Sequence, residues 1–148
     1  MPAQKIITIT GNFHETLQEW EANGYSNNVI FDLGETSKAM QTIGARPLPV
    51  LVTGGTLSKA FFDHGIVLRL LGQIPDWLDQ PVSVYKSATV LKGSVVVLSN
   101  ALKNGDPIIV PIELDAVIDR LPTNRIKSVY SKPQSVVDAW DKRGLKIK

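Results

Sequence analysis

Few side chains in this sequence are equipped for chemistry. Its 148 residues include no cysteine and two histidines, His14 and His64. Without cysteine there is no disulfide framework, no thiolate metal site and no cysteine nucleophile. Two histidines are too few for a histidine-rich metal site. Proton transfer and nucleophilic attack therefore fall to His64, to carboxylates and hydroxyls, and to lysine and arginine acting on anions. His14 follows Asn12 in the first turn of an expected helix, where a solvated side chain is the simpler reading.

The formal net charge of +2 conceals an asymmetry. Residues 1–119 hold 8 Lys and Arg against 12 Asp and Glu, whereas residues 120–148 hold 8 against Asp138 and Asp141 alone. A C-terminal segment with six excess positive charges suits a phosphate-bearing partner. It suits a solvated basic face equally well.

The elements that carry these side chains follow from patterning. With 43% hydrophobic and 20% charged residues, the chain has the balance of one globular domain, residues 1–148. The longest apolar runs, at 95–98 and 108–112, are far too short to span a bilayer, so no membrane partner is expected. The N-terminal stretch lacks the basic region and long apolar core of a signal peptide.

Asn12 caps an expected helix over 13–22, which stops at Asn23-Gly24. A strand over 29–34 and a short helical stretch over 35–43 follow. Residues 48–52 are extended, and their prolines predict an edge strand or a connector. Gly54-Gly55 then breaks the chain. Thr56 is the expected N-cap of a helix to about His64, Gly65 interrupts it, and a second helical piece covers 67–74. Pro75 opens one more turn.

Beyond Pro81 the pattern turns to strands, at 82–86, 94–98, 107–113 and 125–130, with turn residues at 103–106. Their short connections predict an antiparallel meander. Pro133 opens a closing helix to about Arg143, and residues 145–148 form a candidate terminal strand. The expected class is α+β: helices followed by a four-stranded antiparallel sheet, with residues 1–54 as a mixed N-terminal extension packed on a core of 55–148. Trp20, Trp77 and Trp140 lie at helical spacing with other apolar residues, which favours core packing over base stacking.

Several runs resemble a known family. They are Leu57-Ser58-Lys59-Ala60, His64-Gly65-Ile66, Ile74-Pro75-Asp76-Trp77-Leu78 and the segment from Pro81 to Ser87. Val95 to Leu98, Pro107 to Leu114, and Asn124 to Tyr130 continue the pattern, and Leu33-Gly34, Ile43-Gly44-Ala45 and Leu48-Pro49 precede it. Together, over roughly residues 29 to 143, they resemble the C-terminal domain of phage MuF-type minor head proteins. Ser131 departs from the pattern, standing where a glycine often follows Ser-Val-Tyr.

That family is placed in the barnase–EndoU–colicin–RelE-like superfamily, whose members are largely metal-independent ribonucleases, many of them toxins. The resemblance implies a nuclease-like core at 55–148 and a toxin-like effector of phage or mobile-element origin. It implies RNA as the partner, tRNA among the candidates, together with an immunity or antitoxin protein, and neither cofactor nor metal. The implied location is the bacterial cytoplasm, reached with a phage or through a secretion system. A catalytically inactive nucleic-acid- or protein-binding module on the same fold is the alternative.

RNA is cut without metal when its 2′-hydroxyl attacks the neighbouring phosphorus. The reaction needs a base, an acid for the leaving oxygen, and donors or cations for the phosphorane charge. His64, matching the family's His-Gly position, is the implied acid or base, although a histidine there can also serve the helix end. Alternation puts Tyr85 and Ser87 on one strand face and Lys86 on the other. It puts Ile126, Ser128 and Tyr130 on one face of the last strand, with Arg125 and Lys127 opposite. Ser87, Ser128 and Tyr130 are candidates for phosphate orientation or proton donation, or polar groups of the core. Lys59, Lys86, Arg125, Lys127 and Lys132 are candidate RNA contacts, or surface charges.

Overall fold

A computed structural model describes residues 5–88 and 93–148. The elements in chain order are β1 (Lys5–Thr8), α1 (Phe13–Ala22), β2 (Val29–Glu35), α2 (Lys38–Thr42), β3 (Pro49–Thr53) and α3 (Gly54–Phe62). Then come α4 (Leu68–Leu71), α5 (Ile74–Asp79), β4 (Ser83–Lys86), β5 (Ser94–Lys103), β6 (Asp106–Ile118), β7 (Leu121–Ile126), β8 (Tyr130–Ser131) and α6 (Gln134–Lys142). The chain is mixed α and β. Among the described residues no helix is long and apolar enough to cross a membrane.

The expected four-stranded sheet is instead part of a mixed eight-stranded sheet in the order β1-β2-β3-β7-β6-β5-β4, with β8 paired to β6. Along β4-β5-β6-β7 each strand is antiparallel to its neighbour. β3 joins β7 in parallel, and β1 joins β2 in parallel. Residues 48–52 are therefore neither an edge nor a connector, as β3 is flanked by β2 and β7. Its proline is tolerated because Pro49 stands at the first position of the strand, where its carbonyl accepts from the Thr123 hydroxyl at 2.7 Å. The outer edge of β4 is covered by the C-terminal residues, with Lys86 N–H donating to the Leu145 carbonyl and Ile147 N–H to that of Val84.

The helices divide unequally between the two faces. Leu17, Trp20, Met40, Leu57, Leu71 and Trp77, from α1 to α5, share one core with Phe31, Val52, Val97, Val110 and Ile126 of the sheet. On the other face Val137 of α6 packs with Tyr85, Val96, Leu98 and Ile109, and Trp140 and Tyr130 flank them. Trp20 and Trp77 are thus buried in the larger core, while Trp140 is half-buried with its ring 5.5 Å from that of Tyr85.

Helix starts depend on polar caps. Asn12 accepts from the His14 N–H at 2.8 Å, as its position predicts. The cap of α3 is Thr53 and not Thr56; Thr53 Oγ1 accepts from the Thr56 N–H at 3.1 Å, so Gly54-Gly55 opens the helix where a break was expected. The piece expected at 67–74 is the shorter α4, which ends before Gly72, and the turn expected from Pro75 is α5, which starts at Ile74. His14, expected in solvent, is half-buried where α1 passes Gly72.

The strand expected over 125–130 is broken. Ile126 pairs with Ile112, and Tyr130 pairs with Ile109. The chain advances four residues between those pairs while β6 advances three, so the β7–β8 side carries one extra residue, a β-bulge. Lys127 N–H still donates to the Pro111 carbonyl at 2.9 Å. Pro111 has no N–H to return the bond, which favours a bulge at this place. The extra residue overturns the expected alternation: Ile126 and Val129 enter the helix-side core, while Tyr130 turns to the face covered by α6.

A buried polar link ties the first three strands to β7. Asn124, 1% exposed, donates to Thr36 Oγ1 at 2.7 Å and to the Arg46 carbonyl at 2.9 Å. Its Oδ1 accepts from the Asp115 N–H at 3.0 Å, where β6 shifts register and Asp115 has a φ of 54°. Asn124→Leu removes three hydrogen bonds, although Thr36 Oγ1 and the Arg46 carbonyl each keep a bond to Leu48, and is expected to lower unfolding free energy by about 1–3 kcal/mol in urea titrations. A loss below about 0.5 kcal/mol would show that the link is immaterial to stability.

Candidate functional site

A cleft of about 370 Å³ opens on the face covered by α6. Ser87 and Ala88 line it from the end of β4, Ser94 and Val96 from β5, and Val136 and Trp140 from α6. Lys127, Ser128, Tyr130 and Lys132 line it from the bulged segment. The bulge is what brings Lys127 and Ser128 to the same cleft as Tyr130, although strict alternation puts Lys127 on the opposite face. Five of the residues expected to act on RNA therefore meet here: Ser87, Lys127, Ser128, Tyr130 and Lys132.

His64 does not line the cleft itself but reaches it through Tyr130. Its ring centroid is 5.6 Å from that of Tyr130, with the planes tilted by 41°. Lys132 Nζ lies 5.5 Å from the centroid of the same tyrosine, within cation–π range. Both His64 and Tyr130 are half-buried. His64 comes from the helix layer, after the end of α3, and Tyr130 from β8. They meet because β8 pairs with β6 alone and forms the local rim of the sheet.

Burial raises the Tyr130 phenol above the ordinary tyrosine value. At neutral pH it is a proton donor and a poor base. The imidazole of His64 is the group in this cluster suited by its chemistry to exchange a proton. Lys132 and Lys127 bring positive charge, and the Ser87 and Ser128 hydroxyls bring short polar groups. Among the described residues no three His, Asp or Glu side chains are grouped so as to hold a metal ion.

The other expected contacts lie elsewhere. Lys59 is exposed on α3 and lines a separate open groove with Asn27, Ser58, Phe62 and Asp63. Lys86 is exposed and, one residue along β4 from Tyr85, is directed to the opposite face. Arg125 is half-buried on β7, in register with Leu51 and Glu113, and its Nε is buried with no hydrogen-bond partner among the described residues. Sequence reasoning missed Trp140 as a wall of the cleft and Lys103 as a partner of the His64 backbone. Trp140 had one signal, its place on a strongly amphipathic helix next to the basic C-terminal residues. Lys103 had none, because the contact joins a hairpin end to a helix end.

The raised Tyr130 pKa has a defined sign for stability. Below pH about 10 the phenol is protonated folded and unfolded, so its contribution is fully present. As pH rises from there through the folded pKa, the unfolded chain ionises first and stability falls. Tyr130→Phe is expected to lessen the decline of unfolding free energy above pH 10, and the wild-type Tyr130 ring carbons should titrate later than those of a free tyrosine by NMR. Titration at or below the free value would contradict the burial described here.

Residues 57–147 match the phage MuF C-terminal domain family. No curated protein and no solved structure was found to match the chain. The family match begins within α3 and runs through the tail that covers β4, so it takes in His64, the cleft and α6 together. It also spans more than half of the 148 residues, and on that extent the chain belongs to the phage MuF C-terminal domain family.

Proposed function

We infer that this domain is a metal-independent endoribonuclease of the barnase–EndoU–colicin–RelE-like kind, serving as a toxin-like effector of phage or mobile-element origin. The observation that carries the reading is the meeting of His64, Tyr130 and Lys132 at the rim of a cleft that also holds Ser87 and Ser128. Cleavage by the 2′-hydroxyl needs a proton acceptor, a proton donor and positive charge near the phosphorane, and this cluster offers one of each. His64 takes the proton of the attacking 2′-hydroxyl as the new P–O bond forms and the bond to the leaving 5′-oxygen breaks. Tyr130, kept protonated by burial, donates, and Lys132 and Lys127 hold the phosphate. The antiparallel run β4-β5-β6-β7 after helices supports the superfamily assignment, although β1, β2, β3 and β8 add four further strands here.

RNA is also the partner that the charge distribution favours. The eight Lys and Arg of residues 120–148 include both lysines of the cleft. A backbone phosphate beside Tyr130 would therefore meet positive potential, and binding should weaken as salt rises.

Incubation of total RNA and tRNA with the protein in EDTA is expected to give discrete fragments ending in 2′,3′-cyclic phosphate. His64→Ala should lower the cleavage rate by about two to four orders of magnitude while RNA binding persists. Wild-type protein that leaves every RNA intact across about pH 5 to 9, the range in which a histidine changes charge, would overturn catalysis and leave an RNA- or protein-binding module. Cleavage unchanged in His64→Ala would remove His64 from the mechanism and turn attention to Tyr130 and Ser128.

A further inference from the structure

Lys103 has no role in the mechanism above, yet it is the cation tied most directly to His64. It ends β5, one residue before the Asn104-Gly105 turn, whose φ values of 51° and 84° close the hairpin to β6. From there its ammonium reaches back 39 residues in sequence and donates to the His64 carbonyl oxygen at 2.6 Å. Among the described residues Lys103 forms no ion pair. Its charge is directed at the carbonyl, close to the C-terminus of α3, where a cation is favoured.

The backbone around His64 is held on both sides of that bond. The His64 N–H donates to the Lys59 carbonyl at 3.1 Å, and the Ile66 N–H to that of Ala60 at 3.0 Å. Gly65 makes the reversal between them at a φ of 65°, and a Cβ there would lie 3.0 Å from Lys103 Nζ. Ile66 is fully buried. Among the described residues Lys103 thus supplies the one long-range side-chain hydrogen bond to a segment whose other ties run within α3 and into the core. It links that segment to the β5–β6 hairpin.

We propose that Lys103 is a positioning residue: its ammonium, bonded to the His64 carbonyl, fixes the imidazole against Tyr130 at the rim of the cleft. The proposal rests on His64 as the proton-transfer group of the reading above, but its structural arm is read without activity. With the bond gone, the reversal around Gly65 loses its outer support and the imidazole leaves the Tyr130 ring. Displacing a reacting group by about an ångström is enough to cost about a hundredfold in rate.

Because the chain has no cysteine, Lys103→Cys introduces a single thiol. Its thiolate displaces bromide from 2-bromoethylamine and rebuilds an ammonium of lysine length. The readout is the NOE between His64 imidazole protons and Tyr130 ring protons, with His14 as the reference histidine. The cross-peak is expected in wild type, lost or weakened severalfold in Lys103→Cys, and restored by aminoethylation. Lys103→Met, which keeps the aliphatic stem, should lose it too and supplies the comparison if the cysteine variant does not fold. In cleavage assays Lys103→Met should lower kcat by about 10- to 100-fold with KM changed less than about twofold, the split expected of a misplaced reacting group. A cross-peak as strong in Lys103→Met as in wild type overturns the proposal. Wild-type protein that cuts no RNA removes the ribonuclease reading alone, and the cross-peak then decides the role of Lys103.

Discussion

Between Ile126 and Tyr130 the strand beside β6 carries one residue more than its partner, and the arrangement of the cleft depends on that residue. In a regular antiparallel ladder, Tyr130 would share a face with Ile126 and point into the core beneath α1 to α5. The bulge turns it to the opposite face, beside Ile109 and the side chains of α6. It also lets Lys127 and Ser128 approach one cavity from consecutive positions. Pro111 sits opposite the bulge and has no N–H to complete a regular pair with Lys127, so the irregularity is built into the sequence of the partner strand.

The same place is where the two sides of the sheet communicate. Farther along β6 the ladder continues through β7 to β3, β2 and β1, which separates the helix layer from the opposite face. Beside Ile108 and Ile109 only β8 follows, so the end of α3 can reach round the rim and bring His64 to Tyr130. The His64 imidazole from the helix layer and the Tyr130 ring on the other face thus meet at a sheet edge. The Asn124 network stabilises the neighbouring region, where β6 shifts register a second time and the strands of residues 5–53 join the sheet.

Local patterns carried much of this into the sequence. Period-two apolar runs marked β4, β5 and β6, and capping chemistry marked the start of α1, because those signals come from contacts close in sequence. Ser128 and Tyr130 do share the cleft, as alternation predicts, but through the bulge and not through a regular strand. The place of β3 was not readable, because pairing with β7 is a long-range choice and Pro49 argued locally for an edge. The face assignments in residues 125–130 failed for one reason: a single inserted residue reverses parity, and only the partner strand reveals it. Pro111 was the available signal. The contact of Lys103 with His64 had no local signature at all, since it joins segments 39 residues apart.

On the proposed function, RNA is held in the cleft under α6 with its scissile phosphate beside His64, Tyr130 and Lys132. Amide and side-chain shift mapping with a short RNA bearing a 2′-deoxy nucleotide at the cleavage position, which binds without being cut, tests this directly. The account predicts that the largest shifts fall on Ser87, Lys127, Ser128, Tyr130, Lys132 and the His64 imidazole, and fade as salt is added. Shifts centred on the separate groove around Lys59 and Phe62, with the cleft residues unmoved at saturation, would contradict it.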